Sequence, residues 1–494
     1  MAYYLPWLSN STGSGSTINV ASPYGVSDFN TAVAAANDGD TVAFPSGVNV
    51  TWSTAATAIT KAIKIQGAGG GRVEGVSSSS LAIGTGSKSF TLDLDAKSQN
   101  SWINDFTVGE TVRARVPYNA ANWMEGTVTS WNSGTRALVL NITSTGGSGT
   151  FAYWVFEMPA LTTITVSTGA SPMLELTAPS SGYLDVTGIR FIGGTQSDGG
   201  AHIRINHASS GTGMVRLYGN RFTSGGARVI TIRTNTGLIT KNYFDAGFDY
   251  DNAANNLTPG YGIAIKGAPS ASWTSGNTIG TNDTTGRSNF YIERNYFTGY
   301  TTEAGDPDDN SRSVWRYNVF HESGVASHGQ DTSAEGLRHA EFYNNGFFFK
   351  DLGTATSNMN YWLFQRGGVY VVTDNAGVDI TSSEWGAKPE CVMMLEMVRR
   401  VGGVNSCYTG AYPFPRGIGV GYESGAYNIT GCYFWNNSAG ISVSLGDYSS
   451  DDCGNGLTTA SYVQLNRDYF LRAPTTGETL DGYTKYTYPH PAAP

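Results

Sequence analysis

Two groups of ionisable residues in the middle of the chain have types and spacings that could do chemistry. His328 and Asp331 lie three residues apart, and Arg338 follows them. A histidine oriented by a carboxylate can act as a general acid or base, and an arginine beside the pair would bind an acidic sugar. In the alternative interpretation the role is structural, and His328 and Arg338 hydrogen-bond turn carbonyls that fix a wide loop.

The second group is an acidic segment, residues 303–310, whose Asp, Asn, Pro and Gly content predicts a loop. Glu303, Asp306, Asp308 and Asp309 supply carboxylates that could bind a sugar, act as an acid–base pair or hold Ca²⁺. A solvated turn explains the same composition equally well. No other cofactor is evident, because the sequence has no zinc-protease, nucleotide-binding or serine-nucleophile motif.

The composition excludes several classes of protein. The chain has 494 residues with a net charge of -9, which argues against nucleic-acid binding because phosphate recognition requires clustered Lys and Arg. No apolar run approaches the ~20 residues of a membrane-spanning helix. The N-terminus lacks the pattern of an export signal, and the four cysteines include no C-x-x-C pair. We therefore expect reduced thiols in a protein assembled in a cytoplasm.

A repeat surrounds the ionisable groups and must position them. The tripeptide Asn-x-Phe recurs with spacings of 22, 23 and 27 residues where copies are adjacent. That period predicts a solenoid with three short strands and three turns per coil, which is a parallel β-helix. Stacked Asn side chains in left-handed turns would hydrogen-bond from coil to coil, and the Phe would point inward. The copies begin at Asn220, Asn242, Asn295, Asn318 and Asn345, with variants at Ile189, Asn277 and Cys432.

Two further elements complete the expected all-β architecture. Residues 27–36 are predicted to form one short helix with Ser27 as its N-cap, and this helix would cap the stack. Residues 81–158 alternate between apolar and polar side chains, which predicts an inserted, small antiparallel β module. The predicted domains are an N-terminal segment with the helix and first coils (1–80), the module (81–158), and the main β-helix with the C-terminal tail (159–494).

Particular stretches of the sequence resemble known families. Residues 289–320, 328–331 and 341–347 resemble the right-handed parallel β-helix proteins of the pectate-lyase-like superfamily from bacteria and phages. Residues 83–154 resemble a small β module that recurs in tail-fibre and tailspike proteins of tailed bacteriophages. The second resemblance is the more specific one, because such a module is usually part of a phage virion.

These resemblances imply a virion structural protein of the tail-fibre or tailspike kind that contacts host surface polysaccharide. We expect a homotrimer, assembled in the host cytoplasm, with other virion proteins as partners. One alternative is an enzyme on the same scaffold, either a polysaccharide lyase or a glycoside hydrolase, and the sequence does not decide whether the chain is catalytic. A further alternative is a capsid or tail decoration protein that binds no sugar.

Overall fold

The computed structural model is nearly all β-structure, with one helix among the residues it describes. No helix in those residues is long and apolar enough to span a bilayer. The described residues are 15–69, 73–93, 106–116, 121–159, 162–167, 172–193, 201–207, 211–224, 228–246, 261–267, 283–300, 303–308, 311–321, 323–327, 337–348, 361–366, 369–377, 391–396, 431–437, 441–445, 465–478 and 480–494.

Three long parallel sheets form the body of the molecule, and between Thr162 and Trp435 the described strands alternate among the three sheets in a fixed order. Strands are numbered in chain order. The first sheet contains, in spatial order, β1 (Thr17–Asn19), β2 (Thr41–Ala43), β4 (Lys64–Gln66), β15 (Tyr183–Thr187), β18 (Met214–Tyr218), β21 (Gly237–Thr240), β24 (Phe290–Glu293), β27 (Arg312–Arg316), β30 (His339–Tyr343), β33 (Val369–Thr373), β36 (Cys432–Trp435) and β38 (Tyr469–Phe470).

The second and third sheets follow the same order of coils. The second contains β3 (Asn49–Trp52), β13 (Thr162–Val166), β16 (Ile189–Gly193), β19 (Arg221–Ser224), β22 (Tyr243–Asp245), β25 (Tyr296–Thr298), β28 (Val319–His321), β31 (Gly346–Phe348) and β34 (Ala376–Gly377). The third contains β14 (Leu174–Thr177), β17 (Ile203–Asn206), β20 (Arg228–Arg233), β23 (Tyr261–Ile265), β26 (Glu303–Pro307), β29 (Val325–Ala326), β32 (Tyr361–Arg366), β35 (Cys391–Glu396) and β37 (Ile441–Leu445). This topology is that of a parallel β-helix, as predicted. Its right-handed sense, which nearly all parallel crossovers adopt, stays a prediction.

An asparagine ladder joins the coils at the turn between the first and second sheets. The Asn318 side-chain oxygen accepts hydrogen bonds from the backbone N–H and the Nδ2 of Asn295, at 3.0 and 3.1 Å. Asn318 donates in turn to Asn345 Oδ1 at 3.1 Å. The predicted coil-to-coil hydrogen bonding is therefore confirmed. The ladder also includes two asparagines that the repeat search missed, Asn375 and Asn437.

A phenylalanine ladder fills the core beside the asparagines. Successive rings stack with centroids 4.6 to 5.3 Å apart, at Phe191, Phe222, Phe244, Phe297, Phe320 and Phe347. This arrangement confirms that the residue two places after each Asn points inward.

Two details of the predicted repeat were wrong. The left-handed residue is the one before each ladder Asn, for example Arg294 with φ 58° and Tyr317 with φ 54°. Cys432 does not start a turn but lies in β36, where Phe434 pairs with Val372 of the first sheet. The variant at Asn277 lies outside the described residues.

The helix α1 (Val26–Ala35) lies at the N-terminal end of the stack, and Phe29 packs against Phe44 and Trp52 of the first coil. The prediction that Ser27 is the N-cap was wrong. The helix begins one residue earlier than predicted, with Gly25 as N-cap, and the Gly25 N–H donates to the Asp28 carboxylate at 2.9 Å.

The predicted antiparallel module is present as a six-stranded sheet with a two-stranded ribbon. The sheet contains β5 (Val73–Ser77), β12 (Trp154–Glu157), β8 (Thr111–Arg115), β9 (Trp123–Asn132), β10 (Ala137–Gly146) and β7 (Gly86–Thr91), and the ribbon β6 (Leu81–Ala82) and β11 (Thr150–Phe151). Strand β5 begins before residue 81, the predicted start of the module. The domain boundaries themselves stay a prediction.

Candidate functional site

In each sheet of the solenoid alternate residues point into the core, and the others form an outer face. Those three outer faces are the surfaces on which a ligand could lie. They differ in which part of the chain covers them, and this difference locates the candidate site.

The C-terminal segment, residues 480–494, covers the outer face of the first sheet from β18 to β36. Arg316 of β27 donates to the carbonyl oxygens of Tyr486 and Thr487, at 2.8 and 3.0 Å. Arg216 of β18 donates to the carbonyl oxygen of Ala492 at 2.7 Å. The segment therefore lies between solvent and the part of this face that it contacts.

The antiparallel module covers the outer face of the second sheet. Glu157 at the end of β12 forms ion pairs of 2.9 Å with Arg115 of the module and with Arg221 of β19. Burial alone would raise the pKa of Glu157, but the two guanidinium groups outweigh it and hold the pKa below its ordinary value. Nearby, the ring of Tyr153 stacks on His321 of β28 with centroids 5.8 Å apart.

The third sheet carries partly exposed polar side chains on the outer face of its first strands. Arg204 and Asn206 are two residues apart on β17 and so share one face. Glu175 of β14 lies beside Arg204, and Arg233 of β20 lies in register with Asn206. We call these four residues, Glu175, Arg204, Asn206 and Arg233, the third-sheet patch.

Hydrogen bonds within the third-sheet patch orient its side chains. Asn206 Nδ2 donates to Glu175 Oε1 at 2.8 Å, and the Arg204 guanidinium lies 3.7 Å from the same oxygen. The Glu175 side chain is 35% exposed, the Arg204 side chain is 21% exposed, and Arg233 is exposed. The patch therefore offers guanidinium and amide donors and a carboxylate acceptor to an incoming polar ligand.

A cation–π pair lies at the start of two neighbouring strands of the same sheet. Arg228 of β20 stands over the ring of Tyr261 of β23, 5.4 Å from the centroid, and both residues are partly exposed. With Arg204 and Arg233 this gives three arginines against one glutamate in this part of the sheet. The local charge favours an anionic ligand.

The predicted acidic loop was wrong in its secondary structure. Glu303 and Asp306 lie in β26, a strand of the third sheet, because pairing with β23 on one side and β29 on the other overrides the turn-forming composition. Asp306 and Asp308 are fully buried, and Asp308 forms an ion pair with Lys266 at 2.7 Å. Asp309 lies outside the described residues.

The described carboxylates do not form an accessible catalytic pair on this face. Glu175 and Asp306 lie in one register column but four strands apart, which separates them by ~19 Å at ~4.8 Å per strand. Glycosidases need two carboxyl groups ~5–9.5 Å apart. Among the described residues no three His, Cys, Asp or Glu side chains cluster as a metal site, so Ca²⁺ stays an untested prediction.

Of the predicted catalytic residues, the structure describes Arg338 alone. Arg338 is 1% exposed just before β30, and its backbone N–H donates to the Ser311 carbonyl at 2.9 Å. The role of the Arg338 side chain stays a prediction. His328 and Asp331 lie outside the described residues, so their catalytic role stays a prediction.

Sequence reasoning missed the third-sheet patch. Among the residues that the structure describes, no asparagine ladder aligns the strands of the third sheet, and these strands are separated by turns of variable length. The available signal was the run of alternating polar and apolar residues Ile203-Arg204-Ile205-Asn206, followed one coil later by Ile230-Thr231-Ile232-Arg233. Aligning the two by their isoleucines places Arg204 beside Thr231 and Asn206 beside Arg233, as in the structure.

Fold and site together define a class: a parallel β-helix with one sheet face that presents polar side chains to solvent. No family model matches the sequence, and no curated protein matches it significantly. Among solved structures, the chain is similar to the tailspike protein gp49 from Pseudomonas phage LKA1, at 10% identity, over 77% of this chain and 68% of that chain, with a TM-score of 0.19. A likeness this low bears no weight in the argument for function.

Proposed function

We propose that the chain is a tail-fibre or tailspike-like virion protein of a tailed bacteriophage that contacts host surface polysaccharide through the third-sheet patch. The observation that carries the proposal is the difference between the three outer faces. The chain's own segments cover the first face from β18 to β36 and the second face from β19 to β28, whereas the described start of the third face exposes arginine, amide and carboxylate groups together.

The chemistry of the patch favours an acidic glycan. A guanidinium group binds a carboxylate through two parallel hydrogen bonds, and Asn206 and Glu175 can bind sugar hydroxyls. Exposed ion pairs are individually weak, at ~0–1 kcal/mol. A polymer with repeating charges compensates for this weakness, because several of its charged units bind neighbouring subsites at the same time.

The first experiment incubates the purified protein with acidic and neutral bacterial polysaccharides and follows both by size-exclusion chromatography. The proposal predicts co-elution with at least one acidic polysaccharide. The double variant Arg204→Gln, Arg233→Gln should bind about tenfold more weakly, since two exposed charge-assisted contacts of up to ~1 kcal/mol each are lost. Arg472→Gln is the matched control, because Arg472 pairs with Glu478 in the C-terminal region, and it should leave binding unchanged.

Three results would contradict the proposal. They are absence of co-elution across a broad panel, equal binding by the double variant, and absence of the protein from purified virions. Shortened polysaccharide chains would instead establish the lyase or hydrolase alternative and direct attention to His328 and Asp331. The expected homotrimer is a separate proposal, which sedimentation equilibrium of the full chain tests.

A further inference from the structure

The C-terminal segment, residues 480–494, crosses the first sheet against the direction in which the coils are stacked. We call it the strap. It begins near the last strands, where Leu480 packs with Tyr433 of β36. Tyr483 then donates to Glu341 of β30 at 2.7 Å, and Ala492 reaches β18. The strap therefore contacts strands that are not neighbours, unlike the coils, which contact each other only in sequence.

Two arginines of the first sheet are held by carboxylates of the same sheet and also contact the strap. Glu293 of the neighbouring strand holds Arg316 at 2.8 Å, and Asp185 holds Arg216 at 2.7 Å. Arg316 also donates to the Tyr343 hydroxyl of the sheet at 2.9 Å, and further N–H groups of both arginines donate to backbone carbonyl oxygens of the strap. Because the carboxylates belong to the sheet, these donors keep their orientation without the strap, and they bind its backbone whatever its side chains are.

Aromatic contacts supply the sequence selectivity that backbone contacts lack. Tyr488 of the strap lies against Tyr317 with ring centroids 3.6 Å apart, and Tyr486 lies against Tyr291 at 5.4 Å. Ala492 joins the apolar cluster beneath the strap. Each tyrosine places a large apolar ring against the sheet.

The way the strap is attached differs from strand pairing. Hydrogen bonds from Arg316 to the Tyr486 carbonyl, from Tyr483 to Glu341 and from the His490 N–H to Glu293 each use a side chain of the sheet or of the strap. From these contacts we infer that the outer face of the first sheet is a peptide-binding groove. Its ligand is a segment with the spacing Tyr-x-Tyr-Pro-x-Pro, and the chain fills the groove with its own strap.

The test separates the strap from the body after the full chain has folded. A protease site replaces the exposed turn Thr475–Gly477, and the folded, cut protein is analysed by size-exclusion chromatography with an added excess of synthetic peptide 480–494. The groove predicts that the cut strap co-elutes with the body and exchanges with the added peptide while the body stays folded. A labelled peptide then reports affinity for the emptied groove.

Peptide variants test the proposed contacts. Tyr488→Ala should bind about tenfold more weakly, because the contact of its partly buried ring with Tyr317 is lost. Asp481→Asn is the matched control and should bind equally, since Asp481 accepts a hydrogen bond from Gly477, which the peptide lacks. Equal affinity of the two variants would overturn the inference, and so would a cut strap that leaves at once on dilution or stays until the body unfolds.

A second measurement keeps the inference testable if the inserted site disturbs folding. In the uncut chain with Tyr488→Ala, a groove predicts faster hydrogen exchange in the strap while β24 and β27 keep their backbone protection. Loss of protection throughout the first sheet would show that the strap is an integral part of the fold, and would overturn the inference.

Discussion

Replacing Asn318 by alanine breaks the asparagine ladder in the middle of the solenoid. Asn318 Oδ1 accepts from the backbone N–H of Asn295 at 3.0 Å, and Asn318 Nδ2 donates to the carbonyl of Ile292 at 2.9 Å. Asn318 is fully buried, so water is not present to take over these contacts. The Asn295 side-chain amide loses one contact but keeps its hydrogen bond to Ile239 O at 2.9 Å.

The magnitude follows from the two backbone groups that lose these hydrogen bonds, the N–H of Asn295 and the carbonyl of Ile292. A buried polar group left without its partner costs ~1–3 kcal/mol, so Asn318→Ala should destabilise the middle coils by ~2–6 kcal/mol. Asn437→Ala is the matched control, because Asn437 makes the same contacts but is partly exposed at the end of the described ladder. Water can take over the hydrogen bonds of Asn437, so Asn437→Ala should lower the free energy of unfolding by less than ~1 kcal/mol.

Native-state hydrogen exchange is the appropriate assay, since a long solenoid need not unfold in a single step. The amide of Asn295 should exchange at least ~30-fold faster in Asn318→Ala, which corresponds to the lower limit of ~2 kcal/mol. Amides of the first coils should be unchanged. Equal effects of Asn318→Ala and Asn437→Ala would refute the reasoning, because they would show that burial of the ladder does not determine its contribution.

Three further predictions concern the core and the module. Burial lowers the pKa of His202 from 6.5 to about 4. As pH falls, the histidine of the unfolded chain is therefore protonated at a higher pH than that of the folded chain. The free energy of unfolding should fall by ~3 kcal/mol between pH 6.5 and pH 4. His202→Leu should remove this dependence and the exposed His207→Gln should retain it; equal pH profiles would contradict the assignment. Glu157→Gln should cost ~3–5 kcal/mol in denaturant unfolding, because buried Arg115 loses its carboxylate partner and buried Arg221 keeps only Asp245. The partly exposed Glu125→Gln should cost under ~1 kcal/mol, and similar losses in the two variants would show that the Glu157 charge does not hold the junction. Phe320→Ala should destabilise the folded protein by ~3–5 kcal/mol and speed the hydrogen exchange of backbone amides in the adjacent coils. An unchanged exchange pattern would argue against a continuous stack of phenylalanine rings.

The sequence predicts the solenoid because its defining contacts repeat along the chain. The Asn-x-Phe tripeptide returns once per coil, so Asn318 over Asn345 and Phe320 over Phe347 follow from the period alone. The same alignment contains a signal that was not used. The residue two places before each ladder Asn lies on the outer face of the first sheet, which puts Glu293 next to Arg316 one coil later.

Contacts between distant segments could not be read from the repeat. The Arg216 contact to Ala492 joins residues 276 apart, and the Glu157 contact to Arg221 joins the module to a strand 64 residues later. No local pattern specifies where a module or a C-terminal segment docks. The acidic segment was wrong for a related reason, since β26 is held as a strand by its neighbours in the sheet and not by its own composition.

The most direct test of the central claim locates the bound polysaccharide on the protein. Hydrogen exchange of the full chain is compared with and without an oligosaccharide prepared from a polysaccharide that co-elutes with it. Binding at the third-sheet patch predicts slower exchange in β14, β17 and β20, with β7 and β10 of the module unchanged. Protection confined to the module, or to any face other than the third sheet, would contradict the account.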